Sequence, residues 1–249
     1  MTIRLALPVC LALAAPAQAF DMDAMTPEER AAFQAEVRTY LLENPEVIRD
    51  AIGVLQLRER QAEILRDQQL ARANADALFN DAHSFVGGNP DGDITIVEFM
   101  DYRCGYCKRA FPEVEALLGE DTNIRFVVKE LPILGEPSLL ASRYAVATKI
   151  VAGDAAYKDI HDTLMEFDGE ITPAALTRLS EAFVLDHAAI TAAMDSDEVT
   201  DVLVQNRALA DQLQITGTPA FVVGDQMVRG FIPADQMLLI VADLRGQSE

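Results

Sequence analysis

The sequence predicts an α/β fold built on a parallel strand-helix-strand unit, and three observations predict it. The first is the β-branched, apolar run Ile94-Thr95-Ile96-Val97-Glu98-Phe99-Met100, which has the composition of a buried strand and leads directly into Cys104-Gly105-Tyr106-Cys107. The second is the spacing of Phe111, Val114, Leu117 and Leu118, which gives one face of a helix starting near Cys104, followed by a further strand over Ile124–Val128. The third lies far along the chain, where Ala220–Val223 and Met227–Arg229 flank Gly224-Asp225, a good hairpin turn, before a last helix over Pro233–Leu244.

In chain order, residues 1–19 read as a signal peptide. Arg4 precedes an uncharged run from Leu5 to Ala15, and Ala17-Gln18-Ala19 gives a small-residue cleavage pattern before Phe20. The apolar stretch is short for a membrane span, so the chain is expected to be exported and to begin at Phe20. Cleavage removes Cys10 and leaves Cys104 and Cys107. One close pair cannot staple an extracellular scaffold, so the pair reads as catalytic. The net charge of −20, one unit more negative once Arg4 is lost, excludes nucleic acid as a natural partner.

Residues 20–57 read as a helical module. Thr26-Pro27-Glu28-Glu29 is a capping box with proline at the first helical position. Its helix carries Phe33, Val37, Tyr40 and Leu41 on one side and stops before Asn44-Pro45, where Asn44 is expected to cap a second helix. Val47, Ile48, Ala51, Ile52 and Leu55 form a continuous apolar stripe on that second helix. Two short helices bury such a stripe poorly by themselves, which suggests an oligomerisation surface; packing on the main domain is the alternative. Residues 58–81, polar from Arg58 to Arg72, read as a helical spacer.

Residues 82–249 read as the catalytic domain. His83–Val86 is a first strand and Gly87-Gly88-Asn89-Pro90-Asp91-Gly92 a turn. Pro132 and Pro137 close the strand-helix-strand unit, and a helical insertion occupies about 135–212. Its helices are expected to start at Asp154, Thr172-Pro173, Asp186 and Ser196. Tyr144, Tyr157, Ile160, Leu164, Leu176, Leu179, Phe183, Val199, Val202 and Leu209 are expected in its core.

The chemistry sits in the dithiol. At a helix N-terminus, free N–H groups and the helix dipole favour a thiolate at Cys104. Cys107, three residues on, lies within disulfide reach, so Cys104 attacks and Cys107 resolves. His83, His161 and His187 are widely separated and make no zinc pattern with the cysteines, so no metal site or cofactor is expected.

A C-x-x-C on such a unit, a helical insertion, and Gly217-Thr218-Pro219-Ala220-Phe221 before a hairpin and helix together resemble the thioredoxin fold in its DsbA-like form over residues 82–249. The resemblance implies a cis Pro219 beside the dithiol. It also implies that Glu98 is a buried acid able to exchange a proton with Cys107, a partly exposed strand residue being the alternative; Lys129 on the neighbouring strand is the candidate partner for its charge. Gly105-Tyr106 matches the pair of the DsbC isomerases rather than the Pro-His of DsbA oxidases, and Thr218 is again the isomerase choice. Tyr40-Leu41-Leu42-Glu43-Asn44-Pro45-Glu46-Val47, followed by a helical spacer, resembles the N-terminal domain of ScsC-like (suppressor of copper sensitivity) proteins, which implies a homo-oligomer, with a trimer favoured.

Together these imply a periplasmic thiol-disulfide isomerase or reductase acting on misoxidised exported proteins and kept reduced by a DsbD-like membrane reductase. Gly105, Tyr106, Thr218 and Pro219 would contact substrate. Two alternatives stand beside it. One is a DsbA-type oxidase, favoured by the positive charge of Arg103 and Lys108. The other is a copper-binding or holdase protein, with Cys104 and Cys107 as Cu(I) ligands and Met22 and Met25 assisting.

Overall fold

The computed structural model describes residues 24–246, so the expected leader with its cleavage pattern, Cys10 and Met22 lie outside the described residues. The chain divides into two compact units, one ending at Arg58 and one starting at Glu59.

In the first unit, α1 (Pro27–Glu43) starts as its sequence requires: Glu29 N donates to Thr26 Oγ1 at 3.2 Å, and Thr26 N donates to Glu29 Oε2 at 2.9 Å. Asn44 corrects one expectation. Its Nδ2 and its backbone N–H both donate to Tyr40 O, at 2.9 and 2.8 Å, so its side chain closes the first helix instead of capping the second. The side-chain amide thus adds a second donor to the last carbonyl that the helical ladder itself serves. Helix α2 (Glu46–Ala73) follows, and α1 buries no residue. Val47, Ile48, Ile52 and Leu55 are 37, 49, 50 and 55 % exposed, so the stripe predicted from the sequence is unfilled.

The second unit takes in a stretch that reads as polar spacer in the sequence. Helix α2 continues to Ala73, α3 covers Ala75–Phe79, and Asp67, Ala71 and Leu78 are buried. The charges that look solvated are paired across the fold: Arg229 forks onto Asp67, and Arg72 Nε donates to Asp225 at 2.9 Å. Ala71 and Leu78 belong to the cluster that covers one face of the sheet.

That sheet contains β1 (Phe85–Gly88), β2 (Ile94–Met100), β3 (Ile124–Glu130), β4 (Ala220–Val223) and β5 (Gln226–Arg229), in the order β1-β3-β2-β4-β5. Strands β2 and β3 are parallel and joined by α4 (Gly105–Glu120); the other pairings are antiparallel. Gly87 and Gly88, expected in a turn, are strand residues. Gly88 has φ +63°, and a Cβ there would sit 2.4 Å from Ile124 O, so the close approach of β1 requires glycine.

The insertion begins with α5 (Glu136–Glu166), in which Pro137 occupies the first turn and so starts a helix, where proline is tolerated. A break at Gly153 (φ 85°) restarts the helix at the expected Asp154. Helices α6 (Pro173–Ala182), α7 (His187–Met194) and α8 (Asp197–Gln212) are capped by the side chains of Thr172, Asp186 and Ser196. Phe183, expected in the core, is 36 % exposed because α6 ends one residue before it. The second face of the sheet packs on α4, α5 and the closing helix α9 (Ala234–Gly246) around Met100, Tyr102, Leu117, Tyr144 and Met237. Among the described residues no helix is long and apolar enough to cross a membrane.

Candidate active site

The site forms at the carboxyl end of β2. Asp101, wholly buried, organises the turn that follows. Its carboxylate accepts from Arg103 N (2.8 Å), Ile133 N (2.8 Å), Leu134 N (3.1 Å) and Ser138 Oγ (2.8 Å), and its carbonyl accepts from Cys104 N at 3.0 Å. Four donors replace the water this carboxylate loses on burial. Cys104 is thereby set as the N-cap of α4, where Lys108 N donates to its carbonyl at 3.0 Å.

The two cysteines are free thiols in unequal surroundings. Cys104 is 8 % exposed, Cys107 fully buried. The Cys104 thiol is lowered to about 5, chiefly by a hydrogen bond from Cys107, with further help from the Thr218 side chain and the N–H groups of Cys107 and Tyr106, against a burial penalty. Cys104 Sγ also lies 3.1 Å from Thr218 O, a carbonyl that accepts from a thiol and would oppose the thiolate. The donors outnumber this single acceptor, so the thiolate is the favoured form. Burial pushes Cys107 upward, and the charge of its neighbours adds to that. One sulfur is therefore suited to nucleophilic attack and the other to keeping its proton.

The Thr218-Pro219 peptide is cis and borders Cys104 through the Thr218 carbonyl. Gly105 and Tyr106 lie at the surface, Tyr106 58 % exposed. The Arg109 guanidinium lies 5.7 Å from the Tyr106 ring centroid and 4.8 Å from that of Phe231. Lys108, expected to supply charge to the dithiol, instead donates to the carbonyls of Leu164 (3.4 Å) and Phe167 at the end of α5.

Glu98 is 3 % exposed and its Oε1 has no hydrogen-bond partner, so it is the buried acid that the sequence suggests. Burial, then the negative charges of Cys104 and Glu130, raise it to about 8. Lys129 is not its partner. In the parallel ladder Glu98 lies opposite Val128, and Lys129 lies opposite Phe99 on the other face of the sheet. There Lys129 Nζ meets the Asp81 carboxylate and donates to Ala77 O at 2.7 Å. Burial alone would raise Asp81, but the hydrogen bond and charge of Lys129, with the Ser84 N–H, hold it below the ordinary carboxylate range.

The signs of these shifts oppose each other. Cys104, depressed, contributes stability that is full above the ordinary thiol range and lost as pH falls through about 5. Glu98, raised, contributes most below the ordinary carboxylate range and loses that contribution as pH rises through about 8.

The three histidines lie apart. His83 contacts Asp81 and Asn206, His161 contacts Tyr102, and His187 lies between Thr177 and Ser180. Among the described residues no group of three or more metal-ligating side chains converges. Sequence reasoning missed Asp101, which orders the turn before the dithiol, and the buried, hydroxyl-held Glu130. The first had a signal in its spacing to Arg103, the pattern of an aspartate bonding the backbone two residues on. The second had none, since its hydroxyl partners Tyr102, Ser142 and Tyr157 are distant in sequence.

A thiolate-prone cysteine at a helix start, a buried partner three residues on and a cis-proline loop beside it define a thiol-disulfide oxidoreductase of the thioredoxin type. The chain belongs to the DSBA-like thioredoxin domain family, whose model matches residues 95–242, and residues 29–62 match the copper resistance protein ScsC N-terminal domain. A thioredoxin-like oxidoreductase from Silicibacter pomeroyi DSS-3 is 41 % identical, covering 70 % of this chain and 98 % of its own, with a TM-score of 0.66. A linker-deletion variant of Proteus mirabilis ScsC is 27 % identical over 91 % of this chain and all of its own, with a TM-score of 0.65. The chain is also 31 % identical over 145 residues, 58 % of its length, to a Na(+)/H(+) antiporter NhaA 3 of Salinispora tropica, of which it spans only 22 %.

Proposed function

We propose that this protein is a periplasmic disulfide isomerase and reductase for misoxidised exported proteins. In this reading the Cys104 thiolate attacks a substrate disulfide. A bond forms between Cys104 and one substrate sulfur, and the other substrate sulfur leaves with the electron pair as a thiolate. If a second substrate thiolate then attacks the substrate sulfur of the mixed disulfide, Cys104 is released unchanged and the substrate is reshuffled without net redox change. If Cys107 attacks Cys104 instead, its proton passes to Glu98, the substrate leaves reduced, and the Cys104–Cys107 disulfide must be re-reduced by two electrons. A DsbD-like membrane reductase would supply them. Thr218 O lies 3.1 Å from the attacking sulfur, Pro219 follows it in a cis peptide, and Gly105 and Tyr106 open the helix that Cys104 caps; these four would contact the substrate.

The observation that carries the isomerase half is the unfilled apolar stripe of the first unit. Such a face is suited to self-association, with a trimer favoured, and several dithiols on one particle can hold a substrate while a wrong bond is reopened. Gly105-Tyr106 and Thr218, the isomerase-like choices, support it. One observation favours an oxidase: a Cys104 lowered to about 5 stabilises the reduced form and so makes the disulfide a stronger oxidant.

Light scattering and ribonuclease assays on residues 20–249 and on a version lacking residues 20–57 test the proposal. An assembly that reactivates scrambled ribonuclease, reduced to monomers with weak reactivation on truncation, is expected. Monomers in both forms, with fast oxidation of reduced ribonuclease and no reactivation, would overturn it.

A further inference from the structure

Glu130 is a buried carboxylate near the dithiol to which the exchange chemistry gives no role. It is 2 % exposed and lies at the end of β3. No salt bridge reaches it among the described residues. Three hydroxyls serve it instead: Tyr102 OH and Tyr157 OH donate to Oε1, each at 2.7 Å, and Ser142 Oγ donates to Oε2 at 2.7 Å. Tyr102 has one proton, and it is given to Glu130. The 3.1 Å contact of Tyr102 OH with His161 Nδ1 must therefore be donated by the histidine ring, which fixes its tautomer.

Glu130 and Glu98 share one face of the sheet. Glu130 lies opposite Met100 in the ladder and Glu98 opposite Val128, so the two carboxylates are diagonal neighbours on adjacent parallel strands. Strand spacing and rise put their Cα atoms about 8 Å apart. The groups around them are Cys104, Cys107, Tyr102 and Asp101 on the active-site segment, and Ser142, Tyr157 and neutral His161 on α5, the last held down to about 3 by burial and by the charge of Lys158. From α8, Asn206 Nδ2 donates to the Glu130 carbonyl at 3.2 Å. The cations nearby are engaged elsewhere: Lys129 with Asp81, Lys149 with Asp154 at 2.9 Å, and Lys158 with Asp162 at 2.5 Å. Two like charges in this apolar region repel strongly, so ionisation of one acid discourages ionisation of the other.

We propose that Glu130 is a positioning acid for the exchange reaction: held by Tyr102, Tyr157 and Ser142, its charge makes the unpartnered Glu98 carboxylate a base strong enough to take the Cys107 proton. This rests on the reading of Glu98 as that proton acceptor. In the step concerned, the Cys107 S–H bond breaks and its proton moves to Glu98. The Cys107 sulfur then bonds Cys104, and the substrate sulfur leaves with the electron pair as a thiolate. A base whose strength lies near the working pH serves such a transfer best. Burial raises Glu130 itself to about 7 while its three hydroxyl donors oppose that, so its charge is present near neutrality.

The test uses the reduced full chain and stoichiometric Ellman reagent. One thionitrobenzoate leaves as Cys104 attacks and the second as Cys107 resolves the mixed disulfide, and the second rate is followed against pH. The wild type should show a rate that climbs with pH as Glu98 ionises. Glu98→Gln should lose that limb, and if it does not, the underlying reading of Glu98 fails whatever Glu130 does. Glu130→Gln should keep the limb but move it about one pH unit to the acid side. If that variant does not fold, Tyr157→Phe removes one donor, makes Glu130 harder to ionise, and should move the limb the same way by less. A limb that stays in place in the folded variant, even with an altered melting temperature, would overturn the proposal and leave Glu130 a packing residue only.

Discussion

Replacing Cys104 with serine should lower disulfide exchange by at least about 10³-fold, the scale expected when a covalent nucleophile is removed from a catalytic unit. The hydroxyl of serine does not ionise in this environment, and no other free thiol among the described residues can replace the lost one, since Cys107 is fully buried and its burial disfavours the thiolate. Cys107→Ser should behave differently. Cys104 still attacks, but nothing within the dithiol resolves the product, so mixed disulfides with substrate proteins accumulate on non-reducing gels. Cys104→Ser accumulates none. Equal trapping by the two variants would reverse the assignment of attacker and resolver.

The second large effect falls on stability. Lys129→Ala should destabilise the second unit by roughly 3–5 kcal/mol, because it leaves the Asp81 carboxylate, otherwise 10 % exposed at its side chain, without its cation and opens a void where a wholly buried side chain stood. At about 2–4 °C per kcal/mol for a domain of this size, the melting temperature should drop by roughly 6–20 °C. Lys129→Met combined with Asp81→Asn should restore much of the loss, since it removes both charges and keeps most of the volume. A single alanine variant that melts like the parent would show that the pair contributes nothing to the fold.

These two effects mark how much was legible in the sequence. The place of the dithiol at a strand end and a helix start was, because Cys104 and Cys107 stand between a β-branched run and a helical periodicity, both local signals. Strand β2 has the bounds its sequence sets, and Thr172, Asp186 and Ser196 cap the helices they precede. The partner of Lys129 is not legible in the sequence for a geometric reason. Its strand neighbour Glu98 was the obvious acid, but strand side chains alternate, and the register puts the two on opposite faces. Its actual partner, Asp81, sits 48 residues back in a segment without periodicity. The polar residues after Arg58 misled for a similar cause, since Asp67 and Arg72 find their partners Arg229 and Asp225 only in the folded chain. Phe183 shows the reverse error, an apolar residue on a helical spacing that the helix does not extend far enough to bury.

The most direct test of the central claim is a titration of the ultraviolet thiolate absorbance of the reduced protein. A step with a midpoint near 5 is expected in the parent protein; it persists, moved upward by loss of the Cys107 thiol donor, in Cys107→Ser and disappears in Cys104→Ser. As pH falls through that midpoint, the reduced form should also lose its stability advantage over the disulfide form. A single step near the ordinary thiol value of about 8.5, or a low step that persists without Cys104, would contradict it.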